Sequence, residues 1–577
     1  MKDFVTWTIG GEAGFGIMSS GTMLARTFAR SGYHVFAVND YPSLIRGGHN
    51  VVTVRIGSMV FNGVTKELDI LVALNSETVE RHKDELSKGA IVMFDPRDKA
   101  WTAQDLPNAT LLPIPLRDII SELHADTVMR NTVCLGATVA LLGAPFEALL
   151  SVIRDQFFRK GQDIVDQNDK IARSGFDYVT SHFSKVTSMH LSPGTITEKQ
   201  VIVNGSEAVG LGGVRAGLKF AAIYPMTPIN AIITFLADHA KDLRIVYKQP
   251  EDEIAGINMA IGASIAGVRS MVATSGGGFA LMVEGLSLAG MVEAPLVIDL
   301  GMRVGPATGM PTYTEQGELL FAIHAGHGEF PRIILAPADA AEAYELTTKA
   351  FNLADRFQVP VFVLTDKYLN ESQWCVPLSR FSKPVSIDRG KLILDDTGIL
   401  DGAFLRYDPV PPDGVSARSV PGTKHGQYYA NSFEHDGTGH MTERADKRRE
   451  MVEKRLRKMK AIAKEATPPE LLGDSDAELT FVTWGTTKGA VLGAMEMLQK
   501  QEKKVAVISY PWVYPFPTEA TKSLLSRAKR VIDVEQNATG QLATLIRAET
   551  GIDVGEKFLK YDGRPWFPEE IVALCHL

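Results

Sequence analysis

Four short segments of the chain set charged or small polar residues beside glycine or proline, an arrangement suited to gripping anions and heterocycles. YPMTPIN at 224–230 holds Thr227 between two prolines, QPEDE at 249–253 gathers three carboxylates, TSGGGF at 274–279 is a glycine turn, and GMRVGPATGMPT at 301–312 supplies Arg303. A threonine in a stiff turn presents a hydroxyl and nearby N–H groups to a carboxylate, and a guanidinium forks onto one through paired hydrogen bonds. Of the three acids, Glu251 is expected to point into a crevice and act on a heterocyclic nitrogen; the plainer account is favourable charge at a helix start. Two more loops lie nearer the N-terminus. GGEAGFG at 10–16 offers backbone N–H groups around Gly14 and Gly16 at a helix start, a phosphate-binding position. SLIRGGHN at 43–50 puts Arg46 ahead of Gly47 and Gly48. Asp40 stands where a dinucleotide fold carries its ribose-binding acid, but Ser19 replaces the third glycine of that fingerprint. A nicotinamide site, another phosphate-bearing ligand, an interface and a turn without ligand all remain open for that loop.

Positioning these residues takes alternating strands and helices. Strand 4–9, turn 10–16, helix 17–31 and strand 34–39 read as a βαβ opening, followed by strands near 70–74 and 90–94 and a helix over 132–150. A Ser/Thr/Pro/Gly cluster predicts a linker at 186–198. From 201 to 365, strands around 221–224, 244–247, 270–274, 295–300, 332–335 and 360–364 imply an α/β, doubly wound, mostly parallel sheet. Turns at the same ends of successive strands then line one crevice. The helix 252–266 is rich in small residues and suits an interface or a cofactor wall. Residues 396–440 read as irregular chain. The helix after them is expected to bury Val452, Leu456, Met459 and Ala463 and to leave its basic face in solvent. Strands LTFVTWG, KVAVISY and RVIDVE start a last βαβ unit in which VEQNATGQL at 534–542 reads as an interface or ligand turn. The domains predicted are 1–190, 198–395, 396–470 and 471–577.

Composition removes several function classes. The 577 residues suggest about four domains. A net charge of −8 provides no global attraction for nucleic acid or anionic lipid. Cys134, Cys375 and Cys575 form no C-x-x-C pair, so no iron–sulfur cluster, zinc ribbon or other metal centre is expected in this chain. His435 and His440 have only a loose metal-pair spacing. The apolar run Phe4–Ile9 is short for a signal peptide, and the runs starting at Leu135 and Gly285 are broken by Glu147 and Glu293, so a cytoplasmic protein is expected.

Taken in order, YPMTPIN, QPEDEIAGINMAIGASIAG, ATSGGGFALMVEG, RVGPATGMPT and VEQNATGQL resemble the α subunit of the 2-oxoacid:ferredoxin oxidoreductases, which are thiamine-diphosphate enzymes. GGEAGFG and IRGGH are similar to their γ domain, and a γ domain fused ahead of α looks most like the 2-oxoglutarate type. The resemblance implies a γ domain, a pyrimidine-side thiamine domain and a transketolase-C-like domain. It implies that Glu251 hydrogen-bonds the aminopyrimidine, that Thr227 and Arg303 hold the oxoacid carboxylate, and that Tyr224, Pro225, Ser275 and Gly276 line the cofactor. Gly14, Gly16, Arg46, Gly47 and Gly48 are expected on the coenzyme A side. Gly277 departs from the proline common in relatives. No GDG motif with a downstream Asn occurs, so the resemblance implies a β subunit carrying the diphosphate, Mg²⁺ and a [4Fe–4S] cluster, in an (αβ)₂ assembly that passes electrons to ferredoxin. Rival readings are the same reaction on pyruvate, branched-chain or aryl-pyruvate substrates, and a non-catalytic nucleotide-binding or assembly subunit.

Overall fold

The computed structural model describes residues 2–44, 47–183, 189–192, 194, 196, 198–394 and 404–576. Arg46 and much of the expected 186–198 linker lie outside these residues. The chain divides into two compact units, the first comprising Met1–Val203, Ser372–Arg380 and Phe567–Glu570 and the second Asn204–Glu371, Phe381–Trp566 and Ile571–Leu577.

The first unit is built on an eight-stranded sheet in the order Ala109–Pro113, Leu86–Phe94, Leu68–Ala73, Phe4–Glu12, His49–Gly57, His34–Asp40, Gln373–Pro377, Gln200–Asn204. Pairings up to Phe4–Glu12 are parallel, whereas His49–Gly57 runs antiparallel to both its neighbours. That strand corrects the sequence reading. Its run VVTVRI is β-branched throughout, and by pairing with both strands of the βαβ opening it separates them. Asp40 therefore lies two strand spacings, about 10 Å, from the strand that feeds the glycine loop. A dinucleotide fold needs those strands adjacent. The helix expected over 132–150 is two, Arg130–Leu142 and Phe146–Phe157; Gly143 ends the first in a left-handed conformation, with φ 72°.

In the second unit a seven-stranded sheet runs Trp512–Tyr514, Ile333–Leu335, Pro360–Asp366, Leu296–Met302, Arg269–Thr274, Leu218–Ala222, Val246–Lys248. All its pairings are parallel except that of Trp512–Tyr514. The strands Ile333–Leu335, Pro360–Asp366, Leu296–Met302 and Arg269–Thr274 are buried throughout, as strands covered on both faces are, whereas the edge strand Val246–Lys248 is largely exposed. A five-stranded sheet holds Glu470–Gly473, Val505–Ser509, Leu479–Thr483, Val531–Glu535 and Glu556–Leu559. Leu300, Phe362 and Ile334 of the larger sheet share one apolar core with Val482 and Ile508 of the smaller and with Trp484 and Tyr510, which directly follow its strands.

The helix Ala445–Ala463 contradicts its expected orientation. Its buried residues are Met451, Lys454, Arg455, Lys458 and Ile462, while Leu456 is exposed. Lys454 and Lys458 both reach the buried Glu293, at 2.5 Å each. Among the described residues no helix is long and apolar enough to cross a membrane.

Candidate functional site

Four neighbouring parallel strands, Leu296–Met302, Arg269–Thr274, Leu218–Ala222 and Val246–Lys248, end in the turns that carry Arg303, Ser275, Thr227 and the QPEDE acids. Because the strands are parallel, all four turns emerge at one edge of the sheet and border the crevice where open α/β sheets bind ligands. The structure joins two expected carboxylate-binding residues directly: Arg303 Nη1 donates to the Thr227 carbonyl at 2.7 Å. Burial pulls the Arg303 pKa below its usual value, against the opposing charge of Glu318. The guanidinium is thus anchored at one nitrogen and has further N–H groups for a ligand.

The helix Glu253–Ile265 starts at Asp252, whose side chain caps the backbone N–H of Ala255. That start separates the three acids. Glu251 is exposed, Asp252 is used as the cap, and Glu253 is buried. Only Glu253 meets the requirement placed on Glu251, a carboxyl in a crevice. Glu253 Oε1 is buried and has no hydrogen-bond partner. It lies 2.3 Å from where a Cβ on Gly278 would stand, beside Thr274 Oγ1 at 2.1 Å, so only glycine fits at that point of the Gly276–Met291 helix.

Ser275 occupies the N-cap of that helix, yet its hydroxyl makes no capping bond and is buried without a partner. Gly276 is fitted just as closely, since a Cβ there would sit 2.5 Å from Glu318 Oε1. Gly277 has room, its nearest neighbour being the Ala307 carbonyl at 4.0 Å, so the departure from proline costs no contact. Tyr224 is half-buried and Pro225 exposed in the turn after Leu218–Ala222.

Sequence reasoning passed over Glu318. Burial pushes its carboxyl up to about 8, with the nearby Glu315 adding to the shift and Arg303 opposing it. Burial also raises Glu315. Glu318 Oε2 is the third buried, unpartnered polar atom around the start of the Gly276–Met291 helix, after Glu253 Oε1 and Ser275 Oγ. Buried polar groups are ordinarily paired, so these three atoms have hydrogen-bonding capacity left for water or a polar ligand. VEQNATGQL sets the loop that ends at Glu318: Gln316 N donates to the Gln536 carbonyl at 2.8 Å, Asn537 Nδ2 to the Gln316 carbonyl at 3.2 Å, and Gln541 Nε2 to the Gly317 carbonyl at 2.7 Å.

In the first unit, Glu12 pairs with His49. The loop of Gly14 and Gly16 follows the one and the loop of Gly47 and Gly48 precedes the other, so both glycine loops open at the same sheet edge. All four glycines have positive φ. Asn131 Nδ2 ties the first loop down through the carbonyls of Phe15, at 3.1 Å, and Gly16, at 3.3 Å. His435 Nδ1 is taken up by the Phe433 carbonyl and His440 Nδ1 by Thr438 Oγ1. Among the described residues no three His, Cys, Asp or Glu side chains are grouped to hold a metal ion.

Residues 212–454 match the family described as pyruvate flavodoxin/ferredoxin oxidoreductase, thiamine diP-binding; residues 6–178 match pyruvate ferredoxin/flavodoxin oxidoreductase; and residues 477–571 match pyruvate:ferredoxin oxidoreductase core domain II. The 2-oxoacid:ferredoxin oxidoreductase subunit alpha of Saccharolobus solfataricus is 31% identical over 98% of this chain and 96% of its own. This chain belongs to the 2-oxoacid:ferredoxin oxidoreductase α-subunit family. Another member of that family, subunit alpha of 2-oxoacid:ferredoxin oxidoreductase 2 from Aeropyrum pernix, is 33% identical over 99% of this chain and 97% of its own. A solved 2-oxoglutarate:ferredoxin oxidoreductase from Magnetococcus marinus, with 2-oxoglutarate, coenzyme A and succinyl-CoA bound, superposes with a TM-score of 0.92. It is 32% identical, and the match covers 100% of this chain and 99% of that one. As a member of this family the chain is an oxidoreductase subunit that works with a partner subunit.

Proposed function

We propose that this α subunit, with a β subunit in an (αβ)₂ assembly, carries out the coenzyme A-dependent oxidative decarboxylation of 2-oxoglutarate to succinyl-CoA, or its reverse, with ferredoxin as electron carrier. The substrate assignment is supported by the likeness to the Magnetococcus marinus enzyme, which has 2-oxoglutarate bound. The observation that carries the reading is the buried, unpartnered Glu253 Oε1 beside the glycine-only start of the Gly276–Met291 helix. A carboxyl held there fits the ring nitrogen of an aminopyrimidine, which returns the missing hydrogen bond.

Thiamine diphosphate, when bound, supplies a thiazolium carbon nucleophile and a sink for the electrons released on decarboxylation. Glu253 takes over the role expected of Glu251 and would hold a proton at its carboxyl against the ring nitrogen of the aminopyrimidine. Ser275 and Gly276 line the cofactor from the helix start, with Tyr224 and Pro225 in the next turn. Arg303, anchored to the Thr227 carbonyl, forks onto the oxoacid carboxylate and with Thr227 fixes the direction of attack. The loops of Gly14, Gly16, Gly47 and Gly48 are the coenzyme A side of this reading. The β subunit holds the diphosphate, Mg²⁺ and a [4Fe–4S] cluster.

The test is to co-purify the α subunit with its β subunit and to assay a panel of 2-oxoacids with coenzyme A and ferredoxin. The reading expects kcat/KM to be highest for 2-oxoglutarate and no turnover by the α subunit alone. Turnover by the isolated chain would refute the shared site. Preference for pyruvate or a branched-chain oxoacid would refute the substrate.

A further inference from the structure

The loop that carries Arg303 brings Glu318 to the same crevice, and the proposed chemistry gives it no task. Glu318 immediately precedes the short helix Leu319–His324. Its Oε1 fills the space left by the absent side chain of Gly276, and its Oε2 is buried without a hydrogen-bond partner. The charged groups facing it are Glu315 from its own loop and Arg303 from the end of the Leu296–Met302 strand. The Gly276–Met291 helix contributes glycines and Ser275 at this point. From the helix Gln541–Thr550 comes only the uncharged Gln541, already bonded to Leu320 N and to the Gly317 carbonyl. A carboxyl with one bare oxygen, a second carboxyl nearby and a single cation already tied to Thr227 resists ionising.

We propose that Glu318 is a positioning residue for the substrate carboxylate: protonated, it leaves the Arg303 guanidinium to the oxoacid, and ionised, it draws that guanidinium to itself. The proposal rests on the reading of Arg303 as the carboxylate fork. One guanidinium cannot serve two carboxylates at full strength, so ionised Glu318 competes with substrate. Burial and the neighbouring Glu315 place that ionisation at about 8, so the competition grows as pH rises from neutral into the alkaline range.

The experiment measures kcat and KM for 2-oxoglutarate between pH 6.5 and 9.5 on the α–β complex at saturating coenzyme A. Since only protein with Glu318 protonated binds well, KM is expected to rise about tenfold from pH 7 to pH 9, whereas kcat does not follow that curve. In Glu318→Gln the rise disappears, and in Glu318→Asp a rise persists. In Glu315→Gln the rise moves to lower pH, because a like charge has been removed; this arm stands even where Glu318→Gln fails to assemble. An undiminished rise in Glu318→Gln, or an unmoved midpoint in Glu315→Gln, overturns the proposal. Arg303→Gln keeps the two ideas separate. If it leaves KM for 2-oxoglutarate at the wild-type value, the carboxylate fork itself fails. If it raises KM while Glu318→Gln keeps the wild-type pH dependence, only the role of Glu318 fails.

Discussion

A single residue, Asp252, separates Glu251 from Glu253, and a helix start there puts the two acids in opposite environments. The helix begins at Glu253, so Glu251 lies ahead of the N-cap, outside the helix, and only Glu253 follows the inward turn of its first residues. Asp252 fixes the phase by capping Ala255 N, which leaves Glu251 outside and turns Glu253 inward. Glu253→Ala, co-expressed with the β subunit, is therefore expected to slow turnover by ~10²-fold or more, the scale of a lost proton-transfer group. Glu251→Ala is expected to stay within a few-fold of wild type. Steady-state assays of the two variants decide between the acids, and equal losses would remove the distinction. Gly278→Ala probes the same carboxyl from the other side, because its methyl would press on Thr274 Oγ1 and Glu253 Oε1. It is expected to lower kcat by at least ~10-fold, by moving the carboxyl out of hydrogen-bond alignment. A folded variant with full turnover would show that the carboxyl is free to move. The chemistry of QPEDE was legible as three acids at a helix start. Which acid turned inward was not, because that depends on where the cap falls.

At the scale of elements, the helix Ala445–Ala463 shows how a polar face becomes an anchor. Glu293 lies just past the end of the Gly276–Met291 helix with φ 50°, a left-handed conformation that favours glycine. A non-glycine residue there costs about 1–2 kcal/mol, and its carboxylate offsets that cost by pairing with Lys454 and Lys458. Burial alone would raise the Glu293 pKa, but the two lysines hold it well below the usual carboxylate range. Burial lowers Lys458 to about 7 despite Glu293. Glu293→Gln strands both cations, and removing one partner of a buried ion pair costs about 3–5 kcal/mol. A clearly lowered unfolding midpoint is expected, whereas Glu293→Gln combined with Lys454→Met and Lys458→Met recovers most of the loss. A depressed carboxyl pKa contributes stability that is present above its unfolded pKa of about 4 and lost as pH falls below it. The wild-type protein should accordingly lose this contribution in acid, and Glu293→Gln should show a flatter dependence of its midpoint on pH there. An unchanged midpoint for Glu293→Gln at neutral pH would mean that the node bears no load. Apolar periodicity named the wrong face of this helix because it counts lysine as solvent-facing, while the partner that makes lysine buriable lies some 160 residues earlier. By contrast, the strands of the seven-stranded sheet were legible from 218 to 366, since the central ones, covered on both faces, are near-continuous apolar runs. His49–Gly57 was missed although its own run is β-branched, because a βαβ reading pairs the flanking strands directly and leaves no place for it.

At the scale of the whole molecule, the first compact unit is not a continuous stretch of sequence. Residues 1–203 supply seven of the eight strands of its sheet, and Gln373–Pro377 supplies the other, seated between His34–Asp40 and Gln200–Asn204. Trp374 is its apolar anchor, 5% exposed and edge-on to Phe36 at a ring-centroid distance of 4.7 Å. Gln373 adds a hydrogen bond to Thr22 Oγ1 at 2.5 Å. A fragment of residues 1–203 would bare the backbone of His34–Asp40 on one side, an unpaired edge with Phe36 uncovered, and exposed edges of this kind recruit other chains. That fragment is expected to self-associate, whereas the same fragment extended by a flexible linker and residues 371–381 is expected to stay monomeric and to melt cooperatively. In the full chain, Trp374→Ala is expected to cost about 3–5 kcal/mol, as large-to-small changes at buried aromatics do. Size-exclusion chromatography of the two fragments and thermal melts of the full-length variant measure these effects. A monomeric, cooperatively melting 1–203 fragment would show that the seven strands suffice, and that the eighth is carried for another purpose.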